Sequence, residues 1–312
     1  MTDSISNTNV NEMEALDRRI ARTRITRRFG GGVLYTGLTI GAFAALIPFL
    51  WMISTSLMTL GETLNQRWLP STPQLGNYLE AWNQANFSLY FMNSVIITTL
   101  TIAGLLFTSI PAGYAFARIN FVGRSTMFTL LLLTLMIPES VTMIPNFLTV
   151  TGNIFPLPQI GRDGALISFG GSWMNMLPAL TVPFMANAFS IFLLRQFFAQ
   201  IPSELWEAAR IDGSGHLRFL IQICLPIVRP AVMTVALLTF IGAWNAFLWP
   251  LIVTRNDTWR PLMVGLYNFQ TEAGPETHLL MAGSFITTIP ILILYFLTQR
   301  TFTESVASSG IK

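Results

Sequence analysis

Lysine is nearly absent from this chain: one occurs in 312 residues, and it is the last, Lys312. A phosphate-binding P-loop needs a glycine-rich turn running into a lysine, so ATP cannot be bound and split here through one. Cysteine is as scarce. Cys224 stands alone, which excludes an internal disulfide, and no CxxC or Cys/His cluster offers ligands to a metal. The two histidines, His216 and His278, belong to no HExxH, and no GxSxG occurs, so the chain is read as not an enzyme. Charge is short too: 11% of the residues are charged, where a soluble domain carries about 25%. With 52% of the residues apolar, that deficit points to lipid as the solvent, provided the apolar residues come in blocks long enough to cross it.

They do. Crossing about 30 Å of hydrocarbon takes about 20 helical residues at about 1.5 Å each. No Asp, Glu, Lys or Arg occurs from Phe29 to Gly61, from Ala81 to Ala117, from Gly164 to Leu194, from Pro230 to Thr254, or from Thr277 to Gln299. A sixth block starts near Ser125 and runs through Leu130, Leu131, Leu132 and Leu133 to Pro138, where Glu139 and Pro145 make its outer end irregular. The expected fold class is therefore all-α: a polytopic membrane protein with six transmembrane helices. The expected spans are about 33–58, 88–117, 125–145, 174–197, 230–254 and 279–299. They form a membrane domain over 29–300, between a basic tail over 1–28 and a terminal tail over 301–312.

Arginine placement sets the expected orientation. Positive residues collect on the cytoplasmic side of membrane proteins. One set of connections holds Arg18, Arg19, Arg22, Arg24, Arg27, Arg28, Arg118, Arg124, Arg195, Arg210, Arg218, Arg229, Arg300 and Lys312. The other holds only Arg67, Arg162, Arg255 and Arg260, so both termini are expected in the cytoplasm. The same placement explains the net charge of +3 without nucleic acid, because the arginines flank apolar spans and do not stud a soluble surface. The apolar run after Arg28 is too long for a cleaved signal peptide and is read as an uncleaved start. Glu12 to Arg28 is either a basic helix lying on the inner leaflet or a solvated charge run.

The outer connections, roughly Thr59 to Asn86, Asn146 to Ser172 and Arg255 to His278, are rich in Pro, Gly, Asn and Trp. Such residues suit either contact with a soluble partner or turns at the lipid surface. Prolines at Pro48, Pro111, Pro138, Pro178, Pro183 and Pro290 each remove a backbone donor and favour a kink. Broken helices line cavities in transporters, though proline is also ordinary in membrane helices. Glu139 is the one acid near a span; it is a substrate contact or a solvated residue beside a helix break.

The most informative stretch lies on the arginine-rich side, from Ile201 to Pro226. Ser203 is placed to cap a short helix, Glu204 and Glu207 complement its positive end, and Ala208 and Ala209 favour helix and allow close approach. Gly213 supplies a stop, and Leu225-Pro226 ties the segment to the next span. A compact helix presented this way fits a groove on a partner.

The pattern Glu207-Ala208-Ala209, three residues, Gly213, nine residues, Ile223, one residue, Leu225-Pro226 resembles the EAA loop of binding-protein-dependent ABC permeases. Further blocks resemble the carbohydrate-importer group in its maltose-permease second-subunit branch. They are Asn93-Ser94-Val95, Ala112 to Arg118, Ile137-Pro138 with Ile144-Pro145, Phe192 to Phe198, Trp244-Asn245 and Gln299-Arg300. The ending Val306 to Lys312 departs from the Gly-rich tail common in the family.

The resemblance implies an ABC importer type I transmembrane domain in the bacterial cytoplasmic membrane. It implies a second homologous permease subunit, two ABC ATPase subunits that hold ATP and Mg, and an external solute-binding protein, with no cofactor bound by this chain. Glu207, Ala208, Ala209, Asp212, Gly213, Ile223, Leu225 and Pro226 would form the ATPase-coupling loop. The expected solute is a sugar, an oligosaccharide or a relative such as glycerol phosphate. The alternatives are the same machine serving a non-sugar solute and a stand-alone secondary carrier. Trp244, Asn245 and Trp249 are the candidate substrate path: indole faces suit C–H surfaces and an amide suits hydroxyls. Their other reading is interfacial anchoring for the tryptophans and a helix contact for the asparagine.

Overall fold

The computed structural model describes residues 34–84, 86–152, 157–159, 168–271 and 274–309, with side chains left aside at 157–159, 168–170, 271 and 300–309. The basic tail over 1–28, with its six arginines, and the last residues, 310–312, lie outside the described residues. Helix α1 spans Leu34–Ser56. Short helices α2, Leu60–Leu64, and α3, Gly76–Gln84, lead to the long α4, Phe87–Arg118. Helices α5, Arg124–Thr134, and α6, Glu139–Val150, precede an antiparallel pair, β1, Leu157–Gln159, with β2, Ser168–Gly171. Then come α7, Leu177–Thr181; α8, Ala188–Gln200; α9, Ser203–Ile211; α10, His216–Phe219; and α11, Leu225–Ile227. Helices α12, Arg229–Trp244, α13, Leu248–Val253, and α14, Leu262–Tyr267, lead through a second small pair, β3, Gln270–Thr271, with β4, Gly274–Pro275, to α15, Thr277–Ser309.

Among the described residues, three helical stretches are long and apolar enough to cross a membrane alone: α1, α4 and Thr277–Gln299 of α15. Three bent pairs raise the possible crossings to six. In the first, α5 and α6 meet at 100°, because Pro138 sits at the start of α6 in an extended conformation and the residue before a proline disfavours helix. The expected span over 125–145 is therefore two short helices, each well under 30 Å long, with exposed Glu139 opening the second. In the second pair, α7 and a following tight turn, Val182–Phe184, meet α8 at 43°. The third bends by 81° between the His216–Ile227 segment and α12. Over the expected span 230–254, α12 is interrupted at Asn245 to Phe247 before α13 begins. Not every proline breaks its helix: α1 continues through Pro48, α4 through Pro111 and α15 through Pro290.

Helix α4 joins the core together. Its Phe87 and Tyr90 pack with Trp244, Leu262, Phe269 and Leu279 at one end. Ile97 packs in the middle with Val150, Ala179, Leu180, Trp249 and Val253. Leu105 and Tyr114 pack at the other end with Leu194, Phe198, Ala209, Phe219, Cys224 and Val228. Asn93 donates from its amide to the carbonyls of Thr258 and Arg260, both at 3.0 Å, and Ser94 Oγ accepts from the Leu262 N–H at 2.7 Å. These bonds satisfy the carbonyls and amide of an irregular connection against the side of a helix. At Gly113 the helix nearly touches α8: a Cβ there would stand 3.1 Å from Leu194 Cβ and 3.2 Å from the Arg195 nitrogen. Small residues permit such crossings in membrane bundles.

The connection after α1 is tied by one carboxylate. Glu62 accepts from the Thr59 N–H at 3.0 Å and from the Ser71 N–H at 2.8 Å, while Thr59 caps α2 in return. Those backbone donors, Thr59 foremost, bring the Glu62 pKa down from 4.5 to about 2.

Two outcomes follow from this packing. Gly113→Leu should destabilise the subunit by about 1–3 kcal/mol through overpacking at the α4–α8 crossing, read as a lower unfolding temperature in detergent. For Glu62, the depressed pKa means its tie is fully present above about pH 4.5 and is lost as pH falls through about 2. Hydrogen exchange of residues 59–72, normalised for intrinsic rate, should therefore rise over that interval, and Glu62→Gln should remove the pH dependence.

Candidate functional site

Helix α9 is the segment that the sequence singles out, and its two ends are made differently. Ser203 does not cap it. Pro202, at φ −57° and ψ 142°, holds the cap position, Ser203 is already helical, and no side chain caps the start. The expected serine cap is displaced by one residue because the ring of Pro202 fixes φ and the residue before it stays extended. At the far end the Gly213 N–H bonds the Arg210 carbonyl at 3.0 Å and the Ser214 N–H bonds the Ala209 carbonyl at 2.8 Å. This paired closure requires a left-handed residue, and Gly213 has φ +75°. No atom lies within 4 Å of the place where its Cβ would stand, so backbone conformation alone calls for glycine.

The helix has one held face and one bare face. On the held face Ala209 is buried, and the half-buried Trp206 stacks on His216 with centroids 4.3 Å apart and planes at 15°. Trp206 also meets the fully buried Phe219 edge-on at 5.0 Å. The bare face carries Glu204, Glu207, Ala208, Asp212 and Gly213, all exposed. Ile211, 87% exposed, and Leu217, 71% exposed, add apolar surface beside the acids. Exposed acids beside an exposed aliphatic side chain, Ile211, on the bare side of α9 have a composition that suits a docking surface.

Beneath α9 the chain turns through a wide π turn, Leu220–Cys224, into Leu225-Pro226. Pro226 has no N–H for the carbonyl one turn earlier, which accounts for the loosened register just before it. Ile223 and Leu225 are half-buried against the same core as Ala209, whereas Pro226 is exposed. The corner into α9 is fixed by Arg118: its Nε donates to the Phe198 carbonyl at 2.9 Å and its Nη2 to the Ile201 carbonyl. A guanidinium there adds to the Ile201 N–H as a second donor on the Phe198 carbonyl and serves the carbonyl of the cap residue Ile201.

Trp244, Asn245 and Trp249 are not gathered on one open surface. Trp244 is buried, donates Nε1–H to the Thr287 carbonyl at 3.0 Å and stacks on Phe240 at 5.4 Å. Trp249 is buried too, donates to the Ala179 carbonyl at 2.9 Å and meets Phe184 edge-on at 5.9 Å. Asn245 alone is exposed, at the break between α12 and α13, with its amide on the Ile241 carbonyl at 2.9 Å. The sequence reading missed the roles of Trp206, His216 and Arg118. A tryptophan, a histidine and an arginine scattered over 99 positions give no local signal; only the juxtaposition of a lone His with a Trp in one short loop hints at a stack.

The held face of α9 shares one core with α4, α8 and α12.

The family model described as binding-protein-dependent transport system inner membrane component matches residues 109–306, which include all of α9. The chain is 36% identical over 287 residues to the arabinooligosaccharides transport system permease protein AraQ of Halalkalibacterium halodurans, covering 88% of this chain and 95% of that protein. It is 30% identical over 287 residues to the lactose transport system permease protein LacG of Rhizobium radiobacter, covering 92% and 98%. It is 33% identical over 229 residues to the sn-glycerol-3-phosphate transport system permease protein UgpE of Yersinia pestis, covering 73% and 75%. A solved chain of a bacterial ABC transporter involved in the import of the acidic polysaccharide alginate shares the fold at a TM-score of 0.72, with 24% identity over 88% of this chain and 96% of that one.

Because space is free at Gly213 while its backbone is left-handed, Gly213→Ala should cost about 1–2 kcal/mol and Gly213→Asn less. Thermal unfolding of the two variants in detergent measures the order.

Proposed function

Since the chain belongs to the family of binding-protein-dependent transport system inner membrane components, we propose that it is the permease subunit of an ABC importer that carries a saccharide or a related solute such as glycerol phosphate into the cell. The observation that carries the mechanism is the two-faced α9, anchored in the core through Ala209 and Trp206 and bare along Glu207, Ala208, Ile211 and Asp212.

The bare face docks in a cleft of an ATP-hydrolysing subunit. Two such subunits, holding ATP and Mg, serve this chain and a second homologous permease, and an external solute-binding protein delivers the solute. Glu207 and Asp212 supply charge at the rim of the contact; Ala208 lets the surfaces approach; Gly213 ends the helix without a side chain in the way. Ile223, Leu225 and Pro226 set the base against which α9 bears. Nucleotide-driven closure of the ATPases draws α9 with it, and the shared core turns that displacement into a change of side for the solute pathway. The protein is multi-pass, in the bacterial cytoplasmic membrane, with both termini and α9 on the inner side.

For the solute, the sugar and polyol-phosphate relatives favour a hydroxyl-rich molecule. Asn245, exposed where α12 breaks, is the path residue best placed to meet one, with Trp244 and Trp249 holding the walls of that break in place. The remaining contacts come from the second permease. A non-sugar solute handled by the same machine is the alternative, and a binding screen on the accompanying solute-binding protein separates the two. A stand-alone carrier is the reading that transport by this chain alone in vesicles would establish.

Glu207→Lys and Gly213→Asp should leave the subunit inserted but lower solute uptake per ATP hydrolysed by about 5- to 150-fold, the range of a coupling free energy of 1–3 kcal/mol. Reconstituted complexes give the ratio, and undiminished uptake by either variant defeats the proposal.

A further inference from the structure

We infer that the hydrogen bond between Tyr114 and His216 is the joint that makes α9 and α4 move as one body, so that both are positioning residues of the transport cycle. This deepens the reading of α9 as the docking helix and rests on it.

The two residues lie 102 positions apart and meet at 2.9 Å between Tyr114 Oη and His216 Nδ1. Tyr114 is buried in α4, and His216 is the first residue of α10. The imidazole serves two neighbours at once. One face lies on Trp206 of α9, and its ring meets the Tyr114 ring edge-on at 5.9 Å and 68°. A single side chain thus carries a stack to the docking helix and a hydrogen bond to the long helix at the centre of the fold.

The other contacts beneath α9 are of a different kind. Ala209, Phe219 and Leu220 bury apolar surface, and burial is non-directional, so it resists separation far better than sliding. A hydrogen bond weakens steeply once its angle falls toward 120° or its length grows. Among the described side chains from Ser203 to Phe219, His216 is the one that meets α4 by a hydrogen bond, whereas Arg218 Nε bonds Gln222 on the next turn at 3.0 Å. Arg118 of α4 holds the corner before α9, and the directional part of the connection at the other end of the segment rests on the Tyr114–His216 bond. Without it, α9 stays buried against the core and pinned at the Ile201 corner, but its far end is free to slip.

The test uses the assembled transporter: this chain with its partner permease, ATPases and binding protein in lipid nanodiscs. Spin labels at Arg210→Cys on α9, off its bare face, and Phe107→Cys on α4 occupy exposed positions. Their separation is read without nucleotide and after trapping with ATP and orthovanadate, so no solute has to be known. The parent should show one narrow distance in both states. Tyr114→Phe keeps the ring and deletes the bond; trapping should then shift or broaden the distance by ~2 Å or more, the scale of helix sliding at interfaces. His216→Ala should behave like Tyr114→Phe. His216→Asn sets an amide near the place of Nδ1 and should restore the narrow distance, although the stack on Trp206 is gone, which separates the bond from mere packing. Subunit co-elution on size exclusion confirms that each variant assembles.

The inference is overturned if Tyr114→Phe stays as narrow as the parent in the trapped state, or if the parent distance itself shifts on trapping. The docking reading fails by another route: if Glu207→Lys retains parental uptake per ATP, α9 does not couple the motor. Should Glu207→Lys uncouple while Tyr114→Phe stays rigid, docking stands and only the joint is lost.

Discussion

The guanidinium of Arg118 fixes the geometry on which the working end of the molecule depends. It closes α4 and in the same place donates to the carbonyls of Phe198, in the last turn of α8, and of Ile201, its cap. Two helix termini are thereby bound to one cation, and the chain is forced to leave α8 through the extended Ile201-Pro202 corner. That corner aims α9 back across the lower core, where Ala209 and Trp206 find Phe219, Tyr114 and Phe198. Without Arg118 the direction of α9 would no longer be specified by a charge-assisted bond.

Helix α4 extends this constraint through the rest of the chain. It contributes to each of three core clusters, so the outer connections, the broken middle helices and the α9 segment share one continuous element. Helix α1 contrasts with it: none of its most apolar stretch is buried inside the chain. Only Thr55 and Ser56 at its end are buried, and the apolar stretch before them must face lipid or another subunit, because apolar surface of that extent is costly in water. The interruptions fall where proline or a capping residue allows them, at Pro138 and at Asn245, and leave backbone groups open beside exposed side chains.

The two groups of candidate residues fare differently in physical terms. Of the loop residues, Glu207, Ala208, Asp212 and Gly213 collect on the bare side of α9 and at its stop because they are local in sequence, whereas Ala209 falls on the held face and Ile223, Leu225 and Pro226 lie beyond α10. Trp244, Asn245 and Trp249 are also local, yet the break at Asn245 sends them in different directions. Both indoles are committed to backbone carbonyls and aromatic neighbours, which makes them supports of the break and leaves Asn245 as the polar group on its surface.

The sequence by itself determined the solvent, the helical class and the family pattern of the α9 loop, because uncharged runs of bilayer length and a fixed spacing of Glu207, Ala208, Ala209, Gly213 and Leu225-Pro226 are properties of the chain order. It did not determine where the third and fifth spans break, that Pro202 and not Ser203 starts α9, or that Tyr114 and Arg118 reach across from α4 to hold the segment. Those features depend on which helix ends come to lie side by side. Periodicity describes one helix at a time, whereas a bond between residues 102 positions apart exists only once packing has brought their helices together.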